Sequence, residues 1–421
     1  MTKDVNEMIS IEKARDLVVS KVETIGVEKV SLLDVVGRVS AEDLTSDMDV
    51  APFPHSAMDG FALRASQLED AAEDSPVKLK VIDEIAAGDV FSGKIADDEC
   101  VRIMTGAELP DECDSVVKYE IVDVIEGDGK PISIVGFTSP CALGSNVRAA
   151  GEEAREGEVI VSTGDVISRA GVGYLASCGV LEVPTYIRPK VAIIPTGSEL
   201  VPPSEKPGPG HIRESNGYAI AACVNACGAE AKMLPIVKDT YEDLASALKG
   251  AVLDYDFVIT TGGAANGDFD FIKKVVEDLG EVYMTQVNMR PGKAQTFGKV
   301  NGVPVFGLPG NPAAAYCGFE MLIRPALRKM QGYAAFEHPH ITAKLSVDFK
   351  KKDTRRILLR STLDVTDEGY VVTPAKNQSS GLFGVIQRSN CMAVMPEGTY
   401  TKNAGDEVEC VLLDIPEEVV L

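Results

Sequence analysis

The stretch Phe257-Val258-Ile259-Thr260-Thr261-Gly262-Gly263-Ala264-Ala265-Asn266-Gly267-Asp268-Phe269-Asp270-Phe271-Ile272-Lys273-Lys274-Val275-Val276 passes from an apolar strand pattern, through a glycine-rich loop, into a helical pattern. Adjacent glycines at a strand's carboxyl end, Gly262 and Gly263, let backbone N–H groups turn toward an oxyanion. Acids at the start of the following helix can hold a cation that bridges to that anion. The stretch therefore reads as a site for a phosphate-like ligand with Mg²⁺. Taken alone it reads equally well as a tight strand-to-helix turn with acids favoured by the helix dipole.

Two more strands lead into loops of the same kind. Val191-Ala192-Ile193-Ile194 runs into Pro195-Thr196-Gly197-Ser198-Glu199, and Val303-Pro304-Val305-Phe306-Gly307 runs into Leu308-Pro309-Gly310-Asn311-Pro312 before a helical run from Ala313 to Met330. Helical patterns at 217–226, 241–253 and 271–279 alternate with strand patterns at 231–237, 257–261 and 282–287. This alternation predicts one doubly wound α/β domain over about residues 190 to 330, with an open parallel sheet whose ligand lies outside the carboxyl ends of its strands. Neither the dinucleotide fingerprint nor the P-loop occurs. Between the second and third loops lies Asn288-Met289-Arg290-Pro291-Gly292-Lys293. Its two cations flank a Pro-Gly turn and suit a tetrahedral dianion or a phosphate better than a surface ion pair, the plain alternative being a solvated turn.

At 421 residues, against the usual ~100–200 per domain, the chain is expected to hold about three or four domains. A net charge of −23 argues against nucleic acid or an anionic membrane as partner, so an anionic ligand needs a local basic pocket. Arg290, Lys293, Arg148 and the run Lys350-Lys351-Lys352 with Arg355, Arg356 and Arg360 can supply one, although such a run is by default a solvated face. No stretch reaches the ~18 consecutive apolar residues of a membrane span, and the first residues lack the basic-then-apolar signal pattern. A cytoplasmic protein is expected. Its nine cysteines are scattered without Cys-x-x-Cys pairs, which argues for reduced thiols, and its four histidines give no zinc pattern.

Outside the α/β block, Ser10 caps a predicted helix with Ala14, Leu17, Val18 and Ile25 on one face. Residues 30 to 160 read as short strands, residues 165–178 as a helix, residues 184–190 as a hinge, and residues after Gly332 as a small β-barrel or sandwich of about ninety residues. Three loops in the β region are particular: Pro52 to Ala62, with Ser56-Ala57-Met58-Asp59-Gly60; Val101 to Pro110, with Thr105; and Asn146 to Glu153, with Arg148. Taken singly, each reads as a structural turn.

Taken in order, Ser-Ala-Met-Asp-Gly-Phe-Ala, Arg-Ile-Met-Thr-Gly, Val-Arg-x-x-Gly-Glu, Pro-Thr-Gly-Ser-Glu-Leu, Thr-Gly-Gly-x-x-x-Gly-Asp-x-Asp, Arg-Pro-Gly-Lys and Leu-Pro-Gly-Asn-Pro closely resemble the MoeA family of molybdopterin molybdenumtransferases, which includes the gephyrin E domain. The resemblance covers nearly the whole chain. It implies a multidomain α/β plus β fold: an elongated, mainly-β N-terminal region with helices, a central doubly wound α/β domain of the MogA/MoaB type, and a small C-terminal β-barrel. The expected division is 1–48 with 141–185 as a discontinuous N-terminal domain, 49–140 as a β-rich domain, 186–331 as the α/β molybdopterin-binding domain, and 332–421 as the barrel. A homodimer is implied, with each site built between the α/β domain of one chain and the β region of the other.

The implied reaction inserts molybdate, or tungstate, into adenylylated molybdopterin with Mg²⁺-dependent release of AMP, in molybdenum cofactor biosynthesis. By resemblance, Glu199, Asp239 and Asp270 are the acids of the crevice and the Mg²⁺ ligands, with Asp268 a second choice, and Lys293 and Asp59 join them as catalytic residues. Thr105, Arg148, Glu153, Gly262, Gly263, Arg290, Asn311, Arg356, Arg360, Ser379 and Ser380 are the expected substrate-binding residues. The chain departs from the family pattern in four places: Ala265 stands where serine is common, Arg290 where lysine is and Glu153 where aspartate is, and the serine often found near Ala314 is missing. A molybdopterin adenylyltransferase, which is also a conceivable partner, and a non-enzymatic molybdopterin-binding scaffold are the alternative readings.

Overall fold

The computed structural model describes residues 5–262, 271–367 and 369–413. Its centre is a six-stranded sheet in the order Glu230–Met233, Lys190–Pro195, Phe257–Thr261, Val303–Leu308, Ala294–Val300, Gly280–Gln286. The first four strands are parallel, as their apolar, glycine-terminated runs predict. The last two are antiparallel, so the sheet is mixed rather than wholly parallel. The reason is a tight hairpin. Asn301 (φ 49°) and Gly302 (φ 80°) form a two-residue turn between paired Val300 and Val303. An Asn-Gly pair with both φ angles positive matches the twist of antiparallel strands.

Helices cover both faces of this sheet. Tyr241–Asp254 and Phe271–Leu279 bury Leu244, Leu248, Val275 and Val276 against one face. On the other, Asn216–Ala226 and the run from Pro312 to Met330 pack on Phe257, Phe297 and Phe306. That run is interrupted by a π-helical turn at Phe319–Ile323, followed by Arg324–Met330.

The helix Ile11–Ser20, started by Ser10 Oγ accepting from Lys13 N (3.3 Å), buries Ile11, Ala14 and Val18 in this second core beside Phe319 and Leu322. Although early in the chain, the helix thus shares the α/β core. Ile25, expected on its apolar face, lies beyond its end and is exposed.

Either side of the β-rich region, distant segments meet. Val27–Ser31 pairs with Glu182–Tyr186, Leu44–Thr45 pairs with Val159–Val161, and Val35, Leu44, Ile167, Leu175 and Val183 share a small core. Between them, a second six-stranded sheet runs in the order Ser115–Lys118, Gly60–Leu63, Glu99–Ile103, Val77–Ile85, Ile134–Phe137, Asp123–Glu126. It buries Phe61, Leu79 and Phe137 on one face and Ala62, Val101 and Ile103 on the other.

The C-terminal strands close on themselves. Arg356–Thr366 pairs with Gly369–Pro374, which pairs with His340–Leu345, then Glu407–Leu412, then Cys391–Met395, which returns to Arg356–Thr366. Of the two sequence alternatives, the five-strand barrel is the one formed; closure removes the exposed sheet edges. Met289–Arg290, from the α/β part, pairs in parallel with Arg356–Ile357 at the start of the longest barrel strand.

Ile11 is 1% exposed. Replacing it with Ala should therefore cost about 2–5 kcal/mol, read as a lower midpoint for the unfolding transition of the α/β part in urea.

Candidate functional site

Two adjoining cavities open where the α/β sheet meets the barrel. The larger, about 960 Å³, sits at the carboxyl ends of Lys190–Pro195, Phe257–Thr261 and Val303–Leu308, and is lined by Thr196, Thr261, Gly262 and Gly310 from those strand ends. This is the crevice that open α/β topology predicts. The loops are held to one another: Thr196 N donates to Thr261 O (2.8 Å), and Gly262 N to Leu308 O (3.0 Å). Gly262 has φ +97°, and a Cβ there would stand 2.2 Å from Thr196 O, so only glycine fits.

Acids and a lysine face this cavity. Glu199, Asp239 and Lys293 all line it, so three of the residues expected from sequence are brought together. Burial and then the neighbouring Glu199 carboxylate push the Asp239 carboxyl above its ordinary range, while the Thr196 hydroxyl acts in the opposite sense. Sequence reasoning passed over Glu214, which also lines the cavity. Its Oε1 accepts from Gly217 N (2.6 Å) at the start of the helix Asn216–Ala226, and burial raises its carboxyl. An acid and serine just before that helical run were its sequence signal.

Asn216 Oδ1 and Thr261 Oγ1 are buried at the cavity with no hydrogen-bond partner among the described residues. Such orphans mark where a ligand's polar groups can pair. The cavity also has one aromatic ring among its described lining residues, Phe383 from the barrel, for which the sequence carried no signal.

The smaller cavity, about 560 Å³, lies between the Arg290–Gly292 turn and the barrel. Arg290, Lys350, Lys352 and Arg360 line it together with Ser379 and Ser380, against a single acid, Asp353. Arg360 is 2% exposed. Its Nη2 donates to Ser379 O (3.2 Å) and its Nη1 to Leu358 O (3.5 Å), while Nε has no partner among the described residues. Burial lowers its pKa, as does nearby Arg290. A buried guanidinium without a carboxylate is costly unless an anion completes it. The two cavities share Gly292, Asn311 and Ala314, so Lys293 and Arg290 face adjacent chambers from opposite sides of one turn.

Arg356, also expected here, lines neither cavity. It bonds Glu12 of the N-terminal helix and Glu397 (3.3 Å) of the barrel, and so links those two parts. Gly263, Asp268 and Asp270 lie outside the described residues, as does Ala265.

The three β-region loops converge on one another. Asp59 Oδ1 accepts from both Thr105 N and Thr105 Oγ1 at 2.7 Å, and these bonds hold its carboxyl below the ordinary range. Arg148 pairs with His55, and Ala57 N donates to Asn146 O (2.9 Å). Glu153 N donates to Val50 O (3.1 Å), beside the same cluster. None of Asp59, Thr105, Arg148 and Glu153 lines either cavity of its own chain.

Hard oxygen donors at Glu199 and Asp239, with no thiol or imidazole among the described lining residues, fit Mg²⁺ rather than a softer ion. Among the described residues, no group of three or more His, Cys, Asp or Glu is arranged to hold a metal.

Comparison with known proteins shows the family. Residues 9–179 match the MoeA N-terminal region (domain I and II), 192–329 a probable molybdopterin binding domain, and 342–413 the MoeA C-terminal region (domain IV). The molybdopterin molybdenumtransferase of Staphylococcus aureus (strain COL) is 34% identical over 416 residues, 98% of each chain. That of Bacillus subtilis (strain 168) is 35% identical over 390 residues, 92% of this chain and 90% of the relative. A molybdopterin biosynthesis MoeA protein structure from Pyrococcus horikoshii superimposes with a TM-score of 0.82 at 32% identity, covering 96% of this chain and 99% of that one. The chain belongs to the MoeA family of transferases.

Proposed function

We propose that the chain transfers molybdate to adenylylated molybdopterin with Mg²⁺-dependent release of AMP. The observation that carries the proposal is the pairing of two chambers, one acid-rich and one mainly cationic, through the shared Gly292 and Asn311. The larger has room for a phosphate-linked heterocycle, and Lys293 together with the unpartnered Thr261 hydroxyl can meet its phosphate. The smaller, cationic chamber suits an oxyanion. An enzyme that only adenylylates molybdopterin has no use for that second chamber, which favours the transferase over the adenylyltransferase.

In this reading Glu199 and Asp239, with Asp270, hold Mg²⁺, which when bound offsets the charge of the pyrophosphate-like link. Lys293 faces the same link and stabilises the charge that develops on the departing AMP phosphate. Arg360 and Arg290 bind the oxyanion, with Ser379 and Ser380 alongside. Phe383 offers a flat apolar face to one ring of the substrate. Release of AMP is the expected sign of turnover. With molybdate it should fall about 100-fold or more in Arg360→Ala, in line with the loss of one preorganised charge, and Asp239→Asn should lower it and raise the Mg²⁺ concentration needed for half-maximal release. Stacking on an aromatic ring is worth about 1–3 kcal/mol, so Phe383→Ala should raise the KM for adenylylated molybdopterin roughly tenfold.

The working molecule is a cytoplasmic homodimer. Each chain has four domains, with residues 1–48 and 141–185 flanking 49–140, then 186–331 and 332–421. The loop cluster of Asp59, Thr105, Arg148 and Glu153 completes the crevice of the other chain; its position away from both cavities of its own chain supports this. The adenylyltransferase that makes the substrate is a natural partner. Mixed dimers test the shared site. Asp59→Ala and Asp239→Ala chains, each inactive alone, should recover AMP release when co-assembled, to about half per mixed dimer, because one intact site is rebuilt. No recovery would place the site within one chain.

A further inference from the structure

The Arg290 side chain is 57% exposed, and its guanidinium bonds one described side chain, Asp353, through Nη1 to Oδ2 at 3.0 Å. A long, half-exposed arginine held by nothing else would sample many rotamers. Asp353 is itself rigid. Its side chain is 14% exposed; Oδ1 accepts from Arg355 N (2.9 Å) and Arg355 Nε (3.0 Å), and Oδ2 from Arg355 Nη2 (2.6 Å). Its backbone oxygen accepts from the buried Lys351 Nζ. The carboxylate therefore has a fixed plane, and Arg355 offsets its charge, so it stands beside the cationic chamber without giving that chamber a bare negative charge.

The backbone adds a second restraint. Met289–Arg290 pairs with Arg356–Ile357, which brings Arg290 beside Asp353 in the lining of one chamber, from different parts of the chain. The chemistry of arginine then matters. A guanidinium has five N–H donors in a planar fork, so one can be committed to Asp353 while the others stay available to a tetrahedral dianion. A lysine ammonium, which the family resemblance leads one to expect here, has no fixed plane with which to do both.

Resting on the oxyanion reading of this chamber, we infer that Asp353 is a positioning residue: it orients the Arg290 guanidinium so that its free N–H groups meet the bound oxyanion. Asp353 itself makes no contact with the anion. The pair gives a structural role to the arginine that departs from the family pattern.

Equilibrium dialysis of molybdate against the full-length protein tests this, alongside steady-state release of AMP. Asp353→Asn should weaken molybdate binding about tenfold, the equivalent of one charge-assisted hydrogen bond, and raise the KM for molybdate while kcat at saturation stays within about twofold. In an Arg290→Ala background the same substitution should have no further effect, a coupling that a merely structural role would not produce. Asp353→Glu, which keeps the charge on a longer arm, should restore part of the affinity and serves as the measure if the Asn variant folds poorly. Molybdate binding by Asp353→Asn that is equal to wild type or tighter, or an equal loss in the Arg290→Ala background, would overturn the inference. Unchanged molybdate binding by Arg360→Ala would instead overturn the oxyanion reading of the chamber, and this inference with it.

Discussion

Two backbone pairings, Met289 with Arg356 and Arg290 with Ile357, hold the turn Arg290–Lys293 between the α/β sheet and the barrel. Most of the functional geometry depends on this junction. On one side, the turn returns into Ala294–Val300, an inner strand of the large sheet, so Lys293 is carried by the core. On the other, Arg290 is presented to the barrel. Gly292 at φ +100° makes the turn possible, and the fully buried Gln295 supports it by donating from Nε2 to Gly292 O (3.1 Å). Were the barrel docked elsewhere, the smaller chamber would lose one wall and Arg360 would be a buried charge facing nothing.

The electrostatics follow from this partition. A chain with a net charge of −23 repels anions at long range, but screening limits that repulsion to about 8–10 Å at ordinary ionic strength. What an anion meets inside the chamber is local: four cations, of which Arg360 is almost fully desolvated and has no carboxylate partner among the described residues. Asp239 and Glu199 stand in the neighbouring chamber, where burial and then repulsion from Glu199 raise the Asp239 carboxyl. Such paired acids gain most from a cation. The turn thus divides an acid-rich chamber, which Lys293 also lines, from a cationic one whose single described acid, Asp353, is already paired with Arg355 and Arg290.

Much of the α/β domain was legible in the sequence because its signals are local. Apolar strands ending in glycine, helix starts and the loops Thr196–Glu199 and Pro309–Asn311 need no distant residue to be read. The direction of Ala294–Val300 was equally local, carried by Asn301-Gly302, but its polar-edged pattern hid the strand itself. Other features had no local signal. The helix Ile11–Ser20 is amphipathic, but nothing in its pattern says that its partner is a core some three hundred residues away. Arg356 and Arg360 lie four residues apart on one strand, hence on the same face by simple alternation. One bonds Glu12 and Glu397 while the other lines the chamber, because the strand enters the barrel between them and their surroundings change.

By itself the sequence determined most elements of the α/β domain, the three strand-end loops, the family and the residue types able to bind phosphate, oxyanion and metal, since these rest on backbone preferences and on chemistry carried within a few residues. Tertiary structure alone decided how those residues divide. It placed Lys293 and Arg290 in different chambers, brought Glu214 and Phe383 to the larger one, committed Arg356 to a structural link, and set Asp353 against Arg290. The physical reason is that hydrogen-bond partnership and burial depend on distances between segments far apart in the chain, and these distances exist only once the barrel has closed and docked on the α/β sheet.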